Sequence, residues 1–208
     1  MIKKTRVGVF VSGSGSNLQA LIDAKIPSVE IVVVVSNNPD AYAIERAEKN
    51  KIPVEVIDHR NYSSREDFER EIQKRLDQYK IDLIALAGFM RILTPLFIRN
   101  YKHRIMNLHP AILPSFPGTN AVKQALMYGV KFTGCTVHFV DEGVDTGPII
   151  LQAVVPIYDT DTEESLLERI HKEEHRIYPE AVRLFGEGKL RIEGRRVVIR
   201  NQELGIRR

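Results

Sequence analysis

Hydrophobic positions fall into two rhythms along this chain. Short, nearly unbroken apolar runs at Thr5–Val11, Val29–Val35, Val54–Ile57, Leu83–Ala87 and Arg104–Leu108 read as strands. Several are apolar throughout, as strands covered on both faces are. Between them, apolar residues at helical spacing mark Asn17–Ala24, Ala41–Asn50, Arg65–Tyr79 and a shorter helix after Pro95. Ser63-Ser64-Arg65-Glu66 reads as a capping box opening the third helix. This alternation predicts the α/β class, a doubly wound, mostly parallel sheet with helices on both faces and right-handed crossovers.

The second half changes character. A helix at Asn120–Tyr128 leads into strand Thr133–Val140, a glycine-bearing turn and strand Ile149–Val155, which together predict a hairpin or sheet extension. Glu163–Phe185 reads as a long amphipathic helix, entered through Asp159–Thr162 and closed by Gly186. Leu190–Glu193 and Val197–Arg200, about Gly194, fit a small hairpin.

Composition narrows the class. The chain has 208 residues, 43% hydrophobic and 27% charged, which suits one globular domain, placed at 1–188, followed by a basic tail at 189–208. The formal net charge is +3, but residues 189–208 hold seven basic groups against Glu193 and Glu203, a net +5 that leaves −2 on 1–188. A basic excess confined to a tail argues against nucleic acid as a partner. The single cysteine, Cys135, excludes an intramolecular disulfide and a multi-cysteine zinc site, and it suits a reducing cytosol. Gly8 interrupts the first apolar run and Ile31–Val35 is the longest, so neither a secretory signal nor a membrane span is expected. The expectation is a cytoplasmic protein, a monomer or homodimer, acting on small molecules.

Two segments carry chemistry. The first strand runs through Ser12-Gly13-Ser14-Gly15-Ser16-Asn17 straight into a helix. Glycines let backbone approach a ligand, and a helix N-terminus offers unpaired N–H groups and a positive dipole end, so this is a candidate phosphate site. Leu18 stands where a dinucleotide fingerprint needs its third glycine, Ser36-Asn37-Asn38 stand near the end of the second strand where it needs an acid, and the Gly-Lys-Ser/Thr of a nucleotide-triphosphate loop is absent. A monophosphate ester fits best; a merely tight strand–helix turn remains open on the glycines alone. The second segment is Asn107-Leu108-His109-Pro110 at the end of strand five, where alternation puts Asn107 and His109 on one side. An amide and an imidazole side by side can hold a developing oxyanion and move a proton. The acidic turn Asp141–Asp145 follows His138, and a carboxylate beside an imidazole stabilises its protonated form.

Ser12-Gly13-x-Gly15-Ser16-Asn17, Ala87-Gly88-Phe89-Met90-Arg91-Ile92-Leu93, Asn107-x-His109-Pro110 with Leu113-Pro114, and Asp145-x-Gly147 occur in that order. From the first strand to about Phe185 the chain resembles the phosphoribosylglycinamide formyltransferases, folate-dependent enzymes of purine synthesis with a Rossmann-like fold. The resemblance implies that 10-formyltetrahydrofolate is the cosubstrate, that the amine of glycinamide ribonucleotide attacks its formyl carbon directly through a tetrahedral oxyanion, and that no metal takes part. It implies Asn107, His109 and Asp145 as the catalytic trio. Gly15, Ser16 and Asn17 match the phosphate cradle, and Glu174 matches a carboxylate on the ribose. Arg65, Met90, Arg91, Ile92 and Leu93 match folate-pocket positions, as do Asp141, Glu142, Gly143 and Val144. Relatives often carry histidine in the loop after Pro117-Gly118, where Thr119, Asn120, Ala121 and Val122 stand here.

Formyltetrahydrofolate deformylases and methionyl-tRNA formyltransferases share the Asn-x-His and Asp pattern. Neither typically has the Ser-Gly-x-Gly-Ser-Asn loop, which favours the ribonucleotide. A non-catalytic sensor of nucleotide monophosphates would leave the trio unexplained. An alternative of another class lies in His171-Lys172-Glu173-Glu174-His175, an inverted zinc-peptidase pattern with both histidines on one helical face. A solvated helix face explains most of those residues.

Overall fold

A computed structural model describes residues 3–200. Nine strands form one sheet: β1 Thr5–Val11, β2 Val29–Ser36, β3 Val54–Val56, β4 Leu83–Leu86, β5 Ile105–His109, β6 Phe132–Phe139, β7 Ile149–Pro156, β8 Leu190–Glu193 and β9 Arg196–Ile199. Their order is β3-β2-β1-β4-β5-β6-β7-β9-β8. The β3–β2, β2–β1, β1–β4, β4–β5 and β7–β9 pairs are parallel, and β5–β6, β6–β7 and β8–β9 are antiparallel. Six α-helices accompany them: α1 Ser16–Asp23, α2 Ala43–Lys49, α3 Arg65–Leu76, α4 Pro95–Asn100, α5 Ala121–Tyr128 and α6 Glu163–Gly186. The mixed α/β architecture expected from the hydrophobic rhythm is the one observed.

Side-chain alternation in the strands divides the core. Val7, Val9 and Val11 join Leu18 and Leu21 of α1, Ala43 and Ala47 of α2, and Ile170, Ile177 and Tyr178 of α6. Phe10, Val33 and Val35 face the other way, with Phe68 and Ile72 of α3 and Phe97 of α4. Both faces of the central strands are therefore covered, which is why they read as continuous apolar runs.

Local signals set the helix ends, with some shifts from the sequence reading. The cap of α3 lies one residue later than expected: Ser64 Oγ accepts from the Asp67 N–H, so Ser64 and Asp67 take the places assigned to Ser63 and Glu66. For α6, Thr162 and Ser165 form a reciprocal capping box. Its far end is closed by Gly188 rather than Gly186. Gly188 sits at φ +65°, its N–H reaches the Phe185 carbonyl at 2.9 Å, and the Lys189 N–H reaches the Leu184 carbonyl at 2.9 Å. Gly186 is needed for packing, since a Cβ there would lie 2.7 Å from Val29 Cγ2.

β8 and β9 form a hairpin beyond the 188/189 boundary drawn from the sequence, and β9 bridges to β7 at Ile149–Arg196. Leu190, Ile192 and Val197 pack against the first core. Residues 201–208 of the basic tail lie outside the described residues.

Candidate active site

The chain reverses direction across the sheet beside β1, whose neighbours are β2 and β4. In open α/β sheets the crevice beyond the strand carboxyl ends at such a point receives ligands. Two loops meet there. The glycine loop leaves β1, and the segment Ala87–Leu93 leaves β4. The Ala87 N–H reaches the Phe10 carbonyl at 2.8 Å, and the Met90 N–H reaches Ser12 Oγ at 2.8 Å. Ser12 in turn donates to Asn37 Oδ1 at 2.5 Å.

Gly15 stands immediately before α1 at φ +72°, and a Cβ there would lie 2.6 Å from Ala43 Cβ. Only glycine meets both demands. Among the described residues no side chain caps α1, so its first N–H groups remain available to an anion. Arg46, from α2, steadies the loop by donating from Nε to the Ser14 carbonyl at 2.8 Å. Asn17 projects toward α6 and donates from Nδ2 to Glu174 Oε2 at 3.1 Å. Glu174 is buried, and burial pushes its carboxyl above the ordinary range, opposed by the Asn17 hydrogen bond and the neighbouring His171. Tyr178, one turn further along α6, donates its hydroxyl to the Leu86 carbonyl at 2.8 Å and so fixes this helix across the strand ends.

The second group forms where β5 meets β6. Asn107 and His138 are cross-strand partners, as are His109 and Thr136. Directly opposed residues share a face of the sheet, so Asn107, His109 and His138 converge. The turn between β6 and β7 then delivers a carboxylate. Asp145 adopts φ +54°, and two residues on, a Cβ at Gly147 would fall 1.7 Å from the Phe139 carbonyl oxygen. The turn is thus pressed against β6. Asp145 Oδ2 lies 3.3 Å from His109 Nδ1 and accepts from the Gly118 N–H at 2.8 Å. Its Oδ1 accepts from Asn107 Nδ2 at 3.2 Å and lies 3.5 Å from His138 Nε2. Burial raises the Asp145 pKa, but the His138 and Gly118 hydrogen bonds and the charges of both histidines outweigh it, leaving the carboxyl below its usual value.

Both nitrogens of His109 face acceptors: Nε2 meets the Phe116 carbonyl at 2.8 Å, and Nδ1 meets Asp145. The doubly protonated ring is the form that donates to both. The site therefore presents a buried imidazole and an amide beside one carboxylate, on the edge where the glycine loop lies.

The chain matches the formyl transferase family model over residues 5–182. It belongs to the formyl transferase family. It is 42% identical to the phosphoribosylglycinamide formyltransferase of Escherichia coli over 187 residues, which are 88% of each chain. It is 50% identical over 196 residues to the trifunctional purine biosynthetic protein adenosine-3 of Chironomus tentans, covering 92% of this chain but only 14% of that protein. The crystal structure of glycinamide ribonucleotide transformylase 1 from Symbiobacterium toebii superposes with a TM-score of 0.92 at 51% identity, covering 94% of each chain. A formyltetrahydrofolate deformylase from Pseudomonas syringae shares the fold, TM-score 0.88, at 28% identity over 95% of this chain and 66% of that one.

The remaining site candidates are unevenly placed. Met90 and Ile92 are 73% and 65% exposed, whereas the Leu93 side chain is buried in the second core, so Leu93 offers a ligand only its backbone. Arg65 is an exposed first residue of α3. In the turn, Asp141 Oδ1 accepts from Gly143 N–H at 3.1 Å and Thr146 Oγ1 at 2.6 Å, Val144 is half-exposed, and Glu142 pairs with Arg99 of α4 at 2.7 Å. Among the described residues no cluster of three or more metal-ligating side chains forms around the zinc-peptidase pattern. His171 and His175 stack with centroids 6.1 Å apart and planes 9° from parallel, and Glu174 is engaged by Asn17. Sequence reasoning named His138 and Ser12 only as parts of longer motifs, gave neither a role of its own, and did not single out Arg46. The strand register pairing Asn107 with His138 is the signal that finds the first.

Proposed function

We propose that this chain transfers the formyl group of 10-formyltetrahydrofolate to the primary amine of 5-phosphoribosylglycinamide, a step of de novo purine (IMP) biosynthesis. The observation that carries the reading is the gathering of Asn107, His109, His138 and the Gly118 N–H around the Asp145 carboxylate, at the sheet edge that also bears the glycine loop. The phosphate takes the N–H groups at Gly15–Asn17, and Glu174 takes a ribose hydroxyl. Met90, Ile92 and Val144, apolar yet exposed, fit the flat aromatic rings of a folate.

The folate supplies the electrophilic formyl carbon. The amine nitrogen bonds to that carbon and the carbonyl electron pair moves to oxygen. His109 and Asn107 donate hydrogen bonds to the resulting oxyanion, which replaces the Phe116 carbonyl as the acceptor of Nε2. Asp145 keeps His109 charged and takes up the proton lost by the amine. Breaking the bond to the folate nitrogen, with return of a proton, completes the exchange. The acidic turn and the trio suit water as acceptor equally well, as in a deformylase, but the glycine loop and Glu174 then have nothing to bind. The reading includes a cytoplasmic enzyme acting as a monomer or homodimer. Tetrahydrofolate release measured with the ribonucleotide, water and methionyl-tRNA as separate acceptors tests it: release is expected with the ribonucleotide, and equal release with water alone overturns it.

A further inference from the structure

The hairpin β8–β9 lies beyond the last residue matched by the family model, yet its turn touches the catalytic loop. Arg195, between the two strands, donates from its guanidinium to the Thr146 carbonyl at 3.0 Å. Thr146 is the residue after Asp145. Three features make that contact consequential. Asp145 holds a left-handed backbone conformation that is uncommon for a non-glycine residue. Gly147 packs so closely on β6 that a Cβ there would fall 1.7 Å from the Phe139 carbonyl oxygen. The hairpin itself is anchored, through the Ile149–Arg196 bridge and the packing of Leu190, Ile192 and Val197.

We infer that Arg195 is a positioning residue for Asp145, so that the C-terminal hairpin forms part of the catalytic frame. Holding the Thr146 carbonyl fixes the chain just after Asp145, and this keeps the carboxylate between His109 and His138. The inference rests on the proposed reaction only for its kinetic arm. One arginine of the basic end of the chain thus binds a backbone carbonyl of its own molecule, not a polyanion.

The test compares Arg195→Ala and Arg195→Lys with the parent chain. In Arg195→Ala, kcat for formyl transfer is expected to fall about 3- to 10-fold, the range of one ordinary intramolecular hydrogen bond, with KM for both substrates nearly unchanged. Arg195→Lys should recover part of the loss. In an Asp145→Asn background, Arg195→Ala should add nothing, because the two residues act as a unit. Ring NMR signals of His109 and His138 should move in Arg195→Ala, a readout that needs no substrate and so separates this inference from the proposed reaction. Unmoved histidine signals overturn the inference, as does a loss that multiplies with that of Asp145→Asn. A parent chain inactive toward the ribonucleotide, but with histidine signals that move, would overturn the proposed reaction and leave the inference standing.

Discussion

At the scale of single residues, the proposed chemistry depends on polar groups held out of water. His109 and Asp145 have side chains only 5% and 12% exposed, so their pairing is weakly screened. Asn107→Ala and His109→Ala should each lower kcat about 10²–10³-fold, the usual loss for one oxyanion donor, with smaller changes in KM. Steady-state kinetics checks this, and near-normal turnover in either variant removes that residue from the mechanism. Because the Asp145 pKa is depressed in the folded chain, its ionised form contributes stability above the unfolded value, and that contribution is lost only as pH falls through the lower, folded value. A carbon-13 titration of its carboxyl should give a midpoint below the ordinary aspartate value; a midpoint at or above it contradicts the network described. Glu174 has the opposite sign. Burial raises its folded pKa, so its favourable contribution is present at low pH and lost as pH rises through the folded value. Glu174→Gln should therefore leave thermal stability at neutral pH unchanged or higher, while raising KM for the ribonucleotide. Loss of stability without a change in KM would mean that the carboxylate serves the fold alone.

At the scale of elements, strand–turn–helix geometry does most of the positioning, and it is only partly legible in the sequence. The apolar runs locate the strands because residues buried on both faces leave no polar alternation to misread. Asn107-x-His109 is legible for a related reason: alternation alone puts two such residues on one side. His138 is not, because its role follows from pairing with Asn107 across 31 residues, and register is not a local property. The one-residue shift of the α3 cap has a similar origin. Ser63 and Ser64 both satisfy the pattern locally, and Asp67 meets both hydroxyls, at 3.0 and 2.7 Å. The pattern favours Gly186 over Gly188 for the end of α6 because a sequence shows a glycine but not its φ. Gly15 is the element-scale test. Alanine there must adopt a left-handed backbone and collide with Ala43, at a cost of about 1–3 kcal/mol. Urea unfolding of Gly15→Ala should show that loss, together with weaker ribonucleotide binding; a variant of unchanged stability would mean the loop is looser than described.

At the scale of the whole molecule, a parallel half and an antiparallel half have separate duties. The parallel strands bring the glycine loop and the Ala87–Leu93 segment to one edge, and the antiparallel β5–β6 pair with the β6–β7 turn brings Asn107, His109, His138 and Asp145 together at the same edge. No helix among the described residues is long and apolar enough to cross a membrane. The charge count points to a basic end of the chain and away from the site, and does not register that part of this end is a structured hairpin. Residues 190–199 add to the sheet and reach the Asp145 turn through Arg195, a contact spanning 49 positions that no local pattern announces.

The central claim is direct transfer of the formyl group to an amine held by the glycine loop and the trio. A single-turnover experiment tests it most directly, with carbon-13 in the formyl group of 10-formyltetrahydrofolate and glycinamide ribonucleotide in excess. The label is expected to appear in the N-formyl ribonucleotide in stoichiometric yield, with no free formate, and the rate to collapse in His109→Ala. Label appearing as formate, at a rate indifferent to the ribonucleotide, would contradict direct transfer.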